Sequence, residues 1–162
     1  MIKEILQSKT VVFGCGNVLF GDDGFGPKAV EYLCANYKLP SGMYAEDMGT
    51  AVSDILFDLA LSENSPETIW ILDAVDMYER GPGEVFELEV EAIPGKKSGD
   101  FSLHQFPAVN LLQELRDKIE VRILAVQVAC IPQEVQPGLT PQVQDALPKA
   151  CNYILGLDSQ KS

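Results

Sequence analysis

Asp23, Asp73 and His104, the last being the only histidine of the chain, are the side chains whose types and positions offer chemistry together. Two carboxylates and an imidazole suit a divalent ion with open coordination positions, and borderline ions such as zinc and nickel accept that mixed donor set. Each also has a plain structural explanation. Asp22 and Asp23 read equally well as a cap pair facing the dipole of a following helix. Asp73, with Asp76 behind it, fits a turn cap, and an isolated histidine is commonly a satisfied structural residue. Taken jointly the three gain weight, because each adjoins the end of an expected element.

Those elements follow from periodicity and turn chemistry. Thr10 to Gly14 is β-branched and apolar and runs into glycines that allow close backbone approach. A helix-compatible stretch, Gly26 to Tyr37, comes next. A short strand is expected at Met43 to Glu46, then the Gly49-Thr50 turn and a helix at Val52 to Leu61, where Ile55, Leu56, Leu59 and Ala60 share a face. Thr68 to Leu72 reads as a buried central strand with Asp73 at its carboxyl edge. After the Arg80-Gly-Pro-Gly83 turn, Glu84 to Val90 alternates apolar residues with acids, as an antiparallel edge strand does. Pro107 to Lys118 is expected as helix, Glu120 to Ala129 as strand, and Pro141 to Leu155 as a closing helix with Thr140 at the N-cap and Pro141 at N1. The predicted fold is α/β: a single three-layer α/β/α domain over residues 1–157, with a mostly parallel central sheet and one antiparallel edge strand, followed by a frayed tail at 158–162. In such sheets ligands sit beyond the carboxyl ends of the strands, the edge on which Asp73 is expected.

Composition narrows the function classes. The chain has 162 residues, 46% of them hydrophobic, which is enough for a proper core in one domain. Its formal net charge of −12 is the wrong sign for a phosphate backbone or an anionic membrane, so neither nucleic acid nor membrane is expected as a partner. Cys15, Cys34, Cys130 and Cys151 are scattered, without a C-x-x-C pair, and each lies in or beside an apolar segment; four small buried thiols in a reducing cytoplasm are expected. No signal peptide or membrane span is expected. The glycine-rich loop resembles a phosphate loop only superficially, since two carboxylates occupy the place where a pyrophosphate would dock. A receiver-like signalling domain shares the acidic pair and the later aspartate, but the segment Ala129 to Gln133 lacks the lysine that such domains carry after the fifth strand.

The segments GCGNVLFGDDGFGP, ILDAVDM with the following GPGEV, SLHQFP and IPQEVQPGLTPQVQDA, in this order along nearly the whole chain, resemble the nickel-iron hydrogenase maturation endopeptidases. The DFSLHQ run is similar to the branch serving deazaflavin-coenzyme-reducing hydrogenases. The resemblance implies an endopeptidase that removes a carboxyl-terminal extension from the precursor of a hydrogenase large subunit after nickel insertion. It assigns Asp23, Asp73 and His104 to contact with nickel, presented by the substrate rather than necessarily held by the free enzyme, and to catalysis. Gly49 and Thr50 are implied as cleft-lining residues. With the histidine so committed, no Ser-His-Asp or Cys-His nucleophile arrangement is readable. Hydrolysis then needs an activated water, a polarised carbonyl and a proton donor, with a carboxylate as base, and an aspartic-type classification stays open. A noncatalytic nickel-binding accessory protein of hydrogenase assembly is the alternative on the same three residues. The chain departs from the family in carrying Asp23 where some members have Glu, and Asp47-Met48-Gly49-Thr50 where many have a Gly-Gly-Thr or Gly-Gly-Ser turn.

Overall fold

The computed structural model describes residues 1–77, 79–90 and 109–157. The segment containing His104 and the tail at 158–162 lie outside them. Among the described residues the elements run α1 (Ile2–Gln7), β1 (Thr10–Cys15), a 3-10 turn (Gly21–Gly24), α2 (Phe25–Asn36), β2 (Met43–Gly49), α3 (Val52–Leu61), β3 (Thr68–Val75), β4 (Val85–Leu88), α4 (Val109–Arg116), β5 (Glu120–Gln127), α5 (Pro141–Gln144) and α6 (Ala146–Ile154). The strands form one sheet in the order β2-β1-β3-β5-β4. β1, β2, β3 and β5 pair in parallel, and β4 closes one edge antiparallel to β5.

The three layers come from the period-2 burial of the strands. Val11 and Phe13 of β1, Ile69 and Ile71 of β3 and Ile123 of β5 face one core, covered by α3, α4 and Ile5 of α1. Val12, Trp70, Leu72 and Leu124 face the other, covered by α2, α5 and α6. Buried on both faces, β1 and β3 read as near-continuous apolar runs, as central parallel strands do.

Three expectations need correction. β3 runs on to Val75 because β5 pairs with it as far as Gln127, so Asp73 lies within the strand rather than at its end. The closing helix is interrupted at Asp145: Pro148 has no N–H for the carbonyl of Gln144, and its ring crowds that oxygen. Of the four cysteines, all free, Cys15 and Cys151 are buried but Cys34 and Cys130 are exposed; Cys34 falls one residue after Leu33, which takes the inward position on α2. The short α1 was not expected from the sequence.

The position of α2 is set by a backbone contact. A Cβ on Gly26 would lie 2.2 Å from the carbonyl oxygen and 2.4 Å from the nitrogen of Cys15, and 2.4 Å from the carbonyl oxygen of Leu72. The first turn of the helix therefore rests directly on the carboxyl ends of β1 and β3, at a separation only glycine permits. At the opposite end of the sheet β4 is tied down by side chains. Glu87 accepts two bonds from Arg122, from Nε at 2.7 Å and Nη2 at 2.8 Å, and the Tyr153 hydroxyl donates to it at 2.6 Å. The guanidinium stacks 4.2 Å above Trp70.

Gly26→Ala is expected to lower stability by about 3 kcal/mol or more, the upper range of overpacking penalties. Gly81→Ala, where an added Cβ meets nothing within 4 Å, should stay within about 0.5 kcal/mol of the parent; urea unfolding of both variants checks the contrast. Arg122 holds the Glu87 carboxyl below its ordinary range, so this group stabilises the fold above its unfolded value of about 4.3. That contribution is lost as pH falls through the depressed folded value. The stability gap between the parent and Glu87→Gln, on the order of 1 kcal/mol for a partly exposed pair, should be full at pH 6 and close as the pH approaches 3.

Candidate active site

Asp22 and Asp23 both lie in the 3-10 turn between β1 and α2, and both are buried. Neither caps a helix: no side-chain cap bond is made at the start of the turn or of α2. Asp23 is held from two directions. Its Oδ2 accepts the backbone N–H of Asn17 at 3.2 Å, and its backbone carbonyl packs on Gly16, where a Cβ would intrude to 2.0 Å. Gly16 has a φ of 142°, so both its conformation and its closeness to Asp23 demand glycine.

Asp22 does different work. Its Oδ1 accepts the N–H of Thr140 at 2.7 Å and its Oδ2 that of Ala129 at 3.0 Å. The Thr140 hydroxyl lies 3.0 and 2.9 Å from the two oxygens and donates to this carboxylate. Thr140 occupies the N-cap position of α5, with Pro141 following as expected, but makes no side-chain cap bond there. Two backbone bonds reinforce the junction: Gly21 donates to the carbonyl of Gln136 at 2.9 Å, and Gln136 to that of Leu19 at 2.8 Å. The loop after β5 and the loop after β1 are thereby fastened together. A partner 118 residues away has no local signature, so the sequence alone leaves a helix cap as one of two equal readings of Asp22.

Asp73 is fully buried, and its Oδ1 accepts the N–H of Ala74 at 2.8 Å. β1 pairs with β3 only as far as Gly14 opposite Leu72, so Asp73 stands one residue beyond that pairing while Ala125 of β5 still flanks it. The contact of Gly26 with Leu72 and of Gly16 with Asp23 brings both aspartates to the same corner, over the carboxyl ends of β1 and β3. Cys15 shares it. Burial first, then the negative charges of Asp73 and Asp47, push its thiol well above the ordinary value, so it remains a neutral SH and makes a poor nucleophile. Asp76 is a loop tie, its Oδ1 accepting from Gln127 Nε2 at 3.0 Å.

His104 lies outside the described residues; the helix that follows it, α4, packs beside α3 and β5 on the face that receives the odd-numbered side chains of β3. Among the described residues no three His, Cys, Asp or Glu side chains converge to hold a metal ion. An open groove of about 290 Å³ runs beside Asp23, lined by Asn17, Val18 and Leu19 from one loop and Asp47, Gly49 and Thr50 from the end of β2. Gly49 takes a φ of 54°, and Asp47 Oδ1 accepts its N–H at 2.8 Å. The Asp47 carboxylate thus supplies the local bond of this turn. A larger depression of about 500 Å³, lined by residues such as Glu87, Arg116 and Arg122, lies at the far end of the sheet from the aspartates.

The sheet is mostly parallel, and the buried Asp23 and Asp73 stand at the carboxyl-end corner of β1 and β3. The family model described as hydrogenase maturation protease matches residues 27–157, and the chain belongs to that family of endopeptidases. It is 34% identical to the coenzyme F420 hydrogenase subunit delta of Methanothermobacter thermautotrophicus over 161 residues, covering 92% of this chain and 94% of that protein. With the hydrogenase 2 maturation protease of Escherichia coli it shares 31% identity over 149 residues, 91% of this chain and 88% of the relative. The structure of the hydrogenase maturating endopeptidase HybD from Escherichia coli superposes with a TM-score of 0.69 at 28% identity, over 94% of each chain. A crystal structure of the hydrogenase 3 maturation protease gives 0.71 at 26% identity, over 94% of this chain and 92% of the other.

Removing the buried acceptor in Asp22→Ala leaves the N–H groups of Ala129 and Thr140 unpaired, a loss of about 3 kcal/mol. Thr140→Val removes only the hydroxyl and should cost about 1 kcal/mol. A double-mutant cycle on thermal unfolding should show the two changes to be coupled, the combined loss falling short of their sum.

Proposed function

We propose that this endopeptidase removes the carboxyl-terminal extension from the nickel-loaded precursor of a nickel-iron hydrogenase large subunit. Family membership over residues 27–157 supports the substrate class, and the pair of buried carboxylates at one corner of the sheet carries the chemical reading. Nickel enters as part of the substrate. Asp23 and Asp73 offer two oxygen donors, and His104 a nitrogen, a set that borderline divalent ions accept and that leaves other positions to the precursor's own ligands. The ion would polarise the scissile carbonyl or fix its position.

The protein's own residues supply the rest. Asn17 and Gly16 hold Asp23 in place from the backbone, so the carboxylate is preorganised before the substrate arrives. One of the two aspartates acts as base toward the attacking water, and the proton it gains is available to the leaving amine. Burial keeps the Cys15 thiol neutral, and the scheme uses attack by water rather than by this thiol. Asp73 stands one residue past the end of the β1 pairing, buried at the same corner of the sheet. The processing is assigned to the cytoplasm, where large-subunit assembly and free thiols belong together, and the likeness to a coenzyme F420 hydrogenase subunit favours a deazaflavin-coenzyme-reducing hydrogenase as the client. Nucleic acid and membrane are not partners in this scheme; among the described residues no helix is long and apolar enough to cross a membrane.

The test is intact-mass measurement of a matching large-subunit precursor, prepared with and without nickel and incubated with the enzyme. Loss of the tail only from the loaded form is expected, with the rate reduced by roughly 10²–10⁴-fold in Asp23→Ala, Asp73→Ala and His104→Ala. Stable association without any change in mass would replace this reading with a noncatalytic nickel-binding accessory role.

A further inference from the structure

β2 ends the sheet on the side away from β4, and among the described residues no strand pairs with its outer edge. Of its seven residues only Met48 is buried, whereas β1 beside it buries five of six. The register fixes which backbone groups point outward. Thr10 N–H donates to the carbonyl of Gly42 at 3.1 Å, and Thr10, Val12 and Gly14 stand opposite Met43, Ala45 and Asp47. In a parallel ladder alternate residues turn both backbone groups toward the same neighbour, so Gly42, Tyr44 and Glu46 serve β1 while Met43, Ala45 and Asp47 turn theirs outward. The Met43 N–H is used by the Pro40 carbonyl at 3.1 Å. The N–H and C=O of Ala45 and of Asp47 have no hydrogen-bond partner among the described residues. Edge strands are commonly blunted by lysine, proline or a bulge; Met43–Gly49 contains neither lysine nor proline, and its irregularity of register comes only after Asp47.

We propose that this edge is the docking strand for the carboxyl-terminal extension of the precursor: the extension adds to the sheet beside β2 as an antiparallel strand, with a basic side chain next to Glu46. This rests on the reading given under Proposed function and names the surface that holds the part of the substrate to be removed. Place, direction and charge fix the occupant. Asp47 both turns its backbone outward and lines the groove that reaches Asn17, whose N–H is donated to Asp23, so the edge is continuous with the reaction corner. A chain cleaved at that corner carries its extension away from the folded precursor, from Asp47 toward Met43, opposite to the direction of β2. That stretch is about 13 Å long at about 3.3 Å per residue. Ala45 and Asp47 each exchange two bonds with the extension residue opposite, and the residue between them makes none. Glu46, its carboxylate held at 2.8 Å by the Tyr44 hydroxyl, lies beside the docked chain in a protein of net charge −12, and a basic side chain across from it forms a favourable cross-strand pair. Main-chain bonds then supply the hold and alternate side chains the selectivity.

The experiment uses the full chain and the nickel-loaded precursor, with kcat and KM read from tail loss by intact mass. Proline placed at each position of the extension in turn removes one N–H at a time. KM should rise about tenfold at two positions separated by one residue and stay within about twofold at the position between them, with kcat little changed. Ala45→Pro removes an outward N–H and leaves the β1 ladder whole; it should raise KM by a similar factor, with thermal unfolding confirming that the variant is folded. The scan of the extension uses the parent enzyme, so it decides the matter even where Ala45→Pro does not fold. Glu46→Lys should raise KM about fivefold at low ionic strength and return toward the parent value in about 0.5 M salt. A proline scan without alternation, or a KM unmoved in Ala45→Pro or Glu46→Lys, overturns the pairing while leaving the endopeptidase reading intact. So does a parent enzyme that sediments as a dimer when Ala45→Pro sediments as a monomer, since the edge then belongs to a second copy of this chain. Failure of the unmodified enzyme to cut any nickel-loaded precursor removes both readings.

Discussion

The contact between the start of α2 and the ends of β1 and β3 governs the rest of this molecule. At Gly26 the helix backbone lies against Cys15 and Leu72 with no room for a side chain, and at Gly14 a Cβ would come within 2.3 Å of the Gly26 carbonyl. Two elements that would ordinarily be separated by a layer of side chains meet backbone to backbone. The connection between β1 and α2 is thereby pulled down over the carboxyl edge of the sheet, and the 3-10 turn carrying Asp22 and Asp23 has nowhere else to go. A single methyl group at this contact would lift the turn away from Asp73.

Burial of carboxylates follows from the same contact. A buried acid is tolerated only where hydrogen bonds replace water, and the two neighbouring aspartates of the turn find theirs differently. Asp22 takes donors from two distant loops, Ala129 and Thr140, and so serves as the fastening between the halves of the site. Asp23 accepts a local backbone donor, Asn17, a residue that lines the groove. Adjacent residues of identical type thus divide into one that ties distant loops and one that is held from its own turn. Thr140 illustrates the cost of that division: its hydroxyl serves Asp22 rather than capping its own helix.

The edges of the sheet are unequal. β4 is secured against the amino-terminal half of β5 by the Glu87, Arg122 and Tyr153 cluster, with Trp70 beneath the guanidinium. At β2 the chain ends in a turn made by Asp47 and Gly49, and the groove opens between it and the β1 loop. The groove is therefore built from loops whose conformations are set by a few directed bonds, on a sheet whose far side is clamped.

Much of this organisation was legible in the amino-acid sequence. Apolar periodicity placed α3 at Val52–Leu61 as observed, and the alternation after Gly83 identified β4 as an antiparallel edge, because both patterns are local responses to one buried face. The motif order pointed to the family that the comparisons support, and the glycines around Asp23 announced a close approach without saying to what. Other features were decided only in three dimensions. The extension of β3 through Asp73 depends on pairing with β5, some fifty residues later in the chain. The break at Asp145 was local and readable from Pro148, yet the helical period of the flanking residues masked it. Asp22 looked like its neighbour until the fold brought Thr140 to it across 118 residues. Short-range periodicity and turn chemistry are written in neighbouring residues, and so the sequence alone determined most of the elements and their layers; that Asp22 binds the loops depends on partners distant in the chain, and only tertiary structure brings those within hydrogen-bond reach.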